Sequence, residues 1–97
     1  MMRRDGARVV ISGPVTLANV GAVLDEGARQ LRDGARTFDL GEVTEIDSSL
    51  LAAMLSWIRE ARRQRAEIDF ANLPEGLATI ARLYGVDGLL PVPSVRH

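Results

Sequence analysis

Apolar and polar positions follow two rhythms along this chain, and the switches between them mark out its elements. Val9, Val10 and Ile11 form a β-prone run, separated from Met2 to Arg4 by Asp5-Gly6, a dipeptide that suits the positive dihedrals of a tight hairpin turn. Gly13-Pro14 is expected to end that strand. From Thr16, a candidate cap, the apolar residues Leu17, Val20, Leu24, Ala28 and Leu31 recur at spacings of three and four, which predicts an amphipathic helix closed near Asp33-Gly34. Thr37 to Leu40 then reads as a second core strand, stopped by Gly41. A polar turn from Glu42 to Glu45 follows, with Val43 and Ile46 tucked against the core.

The most apolar helix is predicted from about Ser48 to Gln64. At 100° per residue, Leu50, Leu51, Met54, Leu55, Trp57, Ile58 and Ala61 fall within an arc of about 160°, wider than packing on one sheet requires. Leu51, Met54 and Ile58, near the middle of that arc, are assigned to the core. Leu50 and Trp57 lie together on the flank continuous with the serine end of the helix. That flank either meets a partner or covers the edge of its own sheet. Ile68 and Phe70 share one face of a third strand within Ala66 to Ala71, which Asn72-Leu73-Pro74 breaks. A short helix from about Glu75 to Tyr84 should bury Leu77, Ile80, Ala81 and either Leu83 or Tyr84, with Gly85 as its left-handed cap. Val86, Leu89 and Leu90 are expected to pack back as a final turn, and Pro93 to His97 to be loose. Strands separated by helices of these lengths imply parallel pairing through right-handed crossovers. The fold class is therefore α/β: a small mixed sheet with an N-terminal hairpin strand and helices mainly on one face, formed by residues 1–97 as a single domain.

Composition narrows the chemistry. Twelve basic residues against thirteen acidic ones leave the chain near neutrality, which suggests neither nucleic acid nor an anionic membrane as a partner. Arg59, Arg62, Arg63 and Arg65 read as cations complementing a helix C-terminus, with no interleaved aromatics to stack on bases. The absence of cysteine removes disulfides and thiolate chemistry, and the lone histidine is His97, the last residue, a weak candidate for a base or ligand. No glycine-rich phosphate loop is present. Asp39, Glu42, Glu45 and Asp47 form an acidic cluster best read as a solvated turn, so no metal and no cofactor is expected. No stretch approaches the roughly 20 apolar residues of a membrane span, and the N-terminus lacks the apolar run of a signal sequence. The expectation is a soluble, cytoplasmic, non-enzymatic protein.

The candidate chemistry sits where strand gives way to helix, in Ile46-Asp47-Ser48-Ser49. Asp47 can accept from the free N–H groups of the first helical turn, leaving one or both serine hydroxyls outward at the positive end of the helix. There a phosphate or a partner's carboxylate would be favoured. A plain serine-rich cap is the structural alternative.

A strand ending in Asp-Leu, a turn, and Asp-Ser-Ser opening an apolar helix resembles the STAS domain of bacterial anti-sigma-factor antagonists, over nearly the whole chain. IDSSLLAAMLSWIREARRQ and IDFANLPEGLATIARLYGVDGLLP resemble more specifically the MlaB-like cytoplasmic STAS subunit of the Mla phospholipid ABC transporter. That resemblance implies a subunit that binds the transporter's ATPase and supports its assembly and activity in maintaining outer-membrane lipid asymmetry. The protein would be peripheral to the inner membrane through the complex, without inserting. The family's key hydroxyl maps onto Ser48, and the docking surface implied is Asp47, Ser48, Ser49 and Leu50 with Trp57. The alternative is an antagonist that meets an anti-sigma factor kinase and is phosphorylated at Ser49. Antagonists commonly carry glycine next, where this chain has Leu50, and a bulky side chain there suits close approach by a kinase poorly.

Overall fold

The computed structural model describes residues 1–89, so Leu90 and the segment Pro93 to His97 lie outside the described residues. In chain order the elements are β1 (Met2–Asp5), β2 (Arg8–Val15), α1 (Val20–Arg32), β3 (Thr37–Ile46), α2 (Ser48–Arg63), β4 (Asp69–Ala71) and α3 (Leu77–Leu83), with a 3-10 turn at Asp87–Leu89. The sheet order is β1-β2-β3-β4; β1 is antiparallel to β2, and β2, β3 and β4 run parallel. This is the mixed α/β arrangement the pattern implied, with the hairpin turn at Gly6, whose φ is 63°.

Both inner strands run further than their punctuation suggests. β2 continues through Gly13-Pro14 to Val15, and β3 through Gly41 to Ile46, because the two stay paired: Ser12 with Glu42, Gly13 with Val43, Pro14 with Glu45 and Val15 with Ile46. The register slips between Val10 and Ser12 and again between Gly13 and Pro14. Each slip inserts one extra residue in β3. That is how Leu40, Val43 and Ile46, three apart, all turn toward the core when a regular strand would face them oppositely. Val43 and Ile46 are half-buried against the core, as expected, although in a strand and not in a turn.

The inner face of the sheet supplies Val9, Ile11, Val15, Phe38, Leu40 and Phe70, which meet Leu50, Ala53, Met54, Trp57, Ile58 and Ala61 of α2 and Leu31 of α1. Phe38 sits at the centre, its ring centroid 4.7 Å from Trp57 and 5.8 Å from Phe70. The far face is polar. Arg3 of β1 reaches over β2 to Glu42 of β3 at 2.9 Å, and Arg8 of β2 reaches Asp39 of the neighbouring β3 at 2.9 Å.

Helix ends depart from the sequence reading in physically simple ways. α1 begins at Val20 after Asn19, because Thr16 to Asn19 close a separate turn in which the Asn19 N–H donates to the Thr16 carbonyl at 3.0 Å. Leu17 therefore leaves the helix face on which it was placed and is 78% exposed. α3 starts late, at Leu77, and buries Leu77 and Ala81, with Ile80 half-buried. Neither Leu83 nor Tyr84 is covered, at 77% and 61% exposure, because a helix this short presents only one narrow stripe to the core. Gly85, at φ 71°, ends it as a left-handed cap.

The flank of α2 carrying Leu50 and Trp57 is internal. Leu50 is 0% and Trp57 1% exposed. The assignment of these two side chains to a partner surface is thus corrected: the breadth of the apolar arc is absorbed by α1, which packs beside α2 over the sheet. At Gly27, in the buried stripe of α1, a Cβ would lie 2.3 Å from Cε2 of Trp57, so glycine is what lets the indole in. The Trp57 Nε1–H, buried with its ring, donates to the Leu24 carbonyl at 3.2 Å.

Candidate partner-binding site

β2 and β3 are parallel and end side by side, with Val15 opposite Ile46, so the chain leaves both strands at the same edge of the sheet. From β2 it enters the Thr16–Asn19 turn, and from β3 it enters α2 through Asp47. One carboxylate ties the two exits together. Asp47 Oδ1 accepts the Ser49 N–H at 2.8 Å, which is the N-cap bond expected, while Oδ2 accepts the Leu17 N–H at 3.0 Å. Asp47 has the extended backbone usual for a capping residue, φ −142° and ψ −167°. The Leu17 N–H first, and then that of Ser49, hold its carboxyl below the usual value of 3.8, because both donate to the charged form.

The neighbouring turn is held by its own side chains. The Asn19 carbonyl oxygen accepts the Thr16 N–H at 3.0 Å, and its amide donates to the Pro14 carbonyl at 2.8 Å. Thr16 Oγ1 accepts the Ala18 N–H at 3.3 Å. With its four N–H groups occupied in this way, the turn leaves the Leu17 side chain exposed beside the start of α2.

Ser48 is exposed at the first position of α2, and Ser49 is half-buried behind it. The first turn of the helix carries no acidic side chain, so its positive end is offset only by the Asp47 cap. The structure thus brings Asp47, Ser48 and Ser49 together at one corner, withdraws Leu50 and Trp57 into the core, and adds Leu17. Sequence periodicity misassigned Leu17 because its spacing of three from Val20 fits a helix. The Thr16 and Asn19 side chains, both frequent turn formers, were the available signal for a turn.

The remaining acidic residues of that region have other partners. Burial pushes the Asp39 carboxyl up, but hydrogen bonds from Asn72, the Gly41 N–H and Arg8 outweigh it and hold the group below its ordinary value. Glu42 is held low by Arg3. Among the described residues no group of three or more His, Asp or Glu side chains is placed to hold a metal ion, and no helix is long and apolar enough to cross a membrane. Of the arginines closing α2, Arg63 pairs with Glu60 one turn earlier on the same helix. Asp47, Ser48 and Leu17 offer a hydrogen-bonding hydroxyl, an apolar side chain and a helix N-terminus on a rigid frame.

Comparison with solved structures gives the same fold. SpoIIAA, an anti-sigma factor antagonist, matches in its unphosphorylated form with a TM-score of 0.69 at 15% identity, over 97% of this chain and 87% of its own. The phosphorylated form of SpoIIAA, the Bacillus cell fate determinant, matches with a TM-score of 0.64 at 15% identity, over 97% and 90%. A Thermotoga maritima protein with the provisional description of anti-sigma factor antagonist matches at 0.73 and 13% identity, over 95% and 83%. Among curated proteins no match is found. The family described as Mlab, STAS domain matches residues 2–91, and the chain belongs to that family of STAS domains.

Proposed function

We propose that this protein is a non-enzymatic subunit of an Mla-type phospholipid ABC transporter, which binds the transporter's ATPase and supports assembly and activity of the complex in outer-membrane lipid asymmetry. Residues 1–97 act as one STAS domain on the cytoplasmic side, held at the inner membrane through the complex and not by insertion. The observation that carries this reading is the corner at which the Asp47 carboxylate fixes both strand exits, accepting the Leu17 and Ser49 N–H groups and leaving the Ser48 and Leu17 side chains exposed. Membership of the family described as Mlab, STAS domain supports the same assignment. Docking uses Asp47, Ser48 and Ser49 with Leu17, and the chemistry of ATP hydrolysis belongs to the partner.

The alternative, an antagonist switched by an anti-sigma factor kinase at Ser49, asks a half-buried hydroxyl beside the buried Leu50 to serve as phosphate acceptor. The exposed Ser48 is the better placed of the two for contact. Co-expression with the ATPase of an Mla-type transporter from the same organism, followed by co-purification through a tag on either chain, tests the proposal. A stoichiometric complex is expected, with ATPase turnover only when the partner is present. Two soluble chains that elute separately would overturn it.

A further inference from the structure

The edge of β3 that faces away from β2 is only partly covered. β4 pairs with Thr37, Phe38 and Asp39 and then stops, whereas β3 runs on to Ile46. The departure of the chain from the sheet is built in. Asn72 adopts a left-handed φ of 57°, and its amide donates to Asp39 Oδ1 at 3.0 Å. Gly41 lets it come close, since a Cβ there would lie 3.2 Å from that of Asn72. Between the uncovered edge and Asn72 to Glu75 lies a groove of about 910 Å³. Beyond Asp39 no described strand pairs this edge of β3, and the backbone groups that face it up to Ile46 are left to an added strand; the Gly41 N–H already goes to Asp39 Oδ1 at 2.9 Å.

The groove has two kinds of lining. Leu40, Val43 and Ile46 turn toward the core, and with Leu73 and Pro74 they form its apolar lining. Asp39, Glu42, Glu45 and Glu75 are its charged residues, and among the described residues no arginine lines it. Arg8 and Arg3 already engage Asp39 and Glu42, while Glu45 and Glu75 are exposed and in no ion pair among the described residues. A strand laid against this edge would alternate its side chains between the apolar row and the acidic row.

We propose that the β3 edge from Gly41 to Ile46 is a strand-addition site for an extended segment of a partner protein in which basic and apolar residues alternate. Main-chain bonds to β3 supply the hold, and the carboxylates select arginine or lysine at alternate positions. The same carboxylates disfavour pairing with a second copy of this edge. The groove ends at Ile46, the residue before Asp47, so the site adjoins the docking corner, but it rests on a separate set of observations and stands whether or not the partner is a transporter ATPase.

The test is a titration of ¹⁵N-labelled protein with an eight-residue peptide alternating arginine and valine. In parallel arms the peptide has glutamate in place of arginine, or carries N-methyl groups on alternate amides. Saturable shifts confined to 40–46 and 72–75 are expected, with affinity reduced at least about tenfold by N-methylation and by the surface double variant Glu45→Lys/Glu75→Lys. The glutamate peptide should not bind the unmodified protein. Absence of saturable binding, shifts centred away from this edge, or undiminished binding of the N-methylated peptide would each overturn the proposal.

Discussion

The two ends of α2 solve opposite problems. Toward its middle and C-terminal half, Trp57 fills the space opened by Gly27, stacks near Phe38 and spends its one polar group on the Leu24 carbonyl. At its N-terminus Asp47 takes the Ser49 and Leu17 N–H groups, yet the side chains of Ser48 and the adjoining Leu17 are left outside. Excess apolar width on a helix is thus poor evidence for a partner when a second helix lies alongside. An exposed apolar side chain on a turn whose four N–H groups are all engaged is better evidence, because its exposure gives the isolated domain nothing.

This contrast can be broken at either end. The largest effect on stability is expected from Trp57→Ala, which should cost about 3–5 kcal/mol, a large share of the roughly 5–15 kcal/mol that holds a domain together. Urea denaturation checks it, and a stability near wild type would return Trp57 to the list of surface residues. Gly27→Ala approaches the same seam from the other helix and should lose about 1–3 kcal/mol through overpacking against the indole. The exposed end should behave differently. Leu17→Ser is expected to change stability by no more than about 0.5 kcal/mol, yet to weaken the complex with the ATPase about tenfold or more. Calorimetry on the same preparation reads both.

Asp47 sharpens the comparison through pH. Its folded carboxyl is held below 3.8, so the stability it contributes is fully present above the unfolded value and is lost as pH falls through the lower folded value. The thermal midpoint of Asp47→Ala should sit a few degrees below wild type above about pH 5, and the gap should close on acidification below that range. Asp47→Asn should fall between the two, since an amide offers one oxygen to the two N–H groups that the carboxylate serves. Asp39, Glu42, Glu26 and Glu60 are also held low, so wild type itself loses stability in acid and the comparison must be made as a difference.

Much of this arrangement was legible in the residues. The hairpin at Asp5-Gly6, the extent of α2, its Asp47 cap, the inward pair Ile68 and Phe70 and the Gly85 stop all follow from local chemistry, and the mixed sheet follows from their order. What local chemistry misread lies in the second halves of β2 and β3. There, glycine, proline and a broken period of two look like turns until the paired strand is known. Only the partner strand shows that Gly13-Pro14 and Thr44 sit at a register slip and that Val43 and Ile46 still face inward. The candidate site was half visible for a related reason. Asp47 and Ser48 announce themselves as a cap, whereas the Leu17 N–H reaches Asp47 only because two strands end together.

The central claim is that the corner at Asp47 and Ser48, and not the flank at Trp57, is the surface a partner reads. Titration of the ATPase with folded Ser48→Asp tests it most directly, beside Ser49→Ala and wild type, with urea midpoints measured on each. Ser48→Asp places an unpaired carboxylate in the interface and should abolish the complex while the fold persists. Ser49→Ala removes one half-buried hydroxyl and should weaken binding by no more than about tenfold. Wild-type affinity in folded Ser48→Asp would contradict the account.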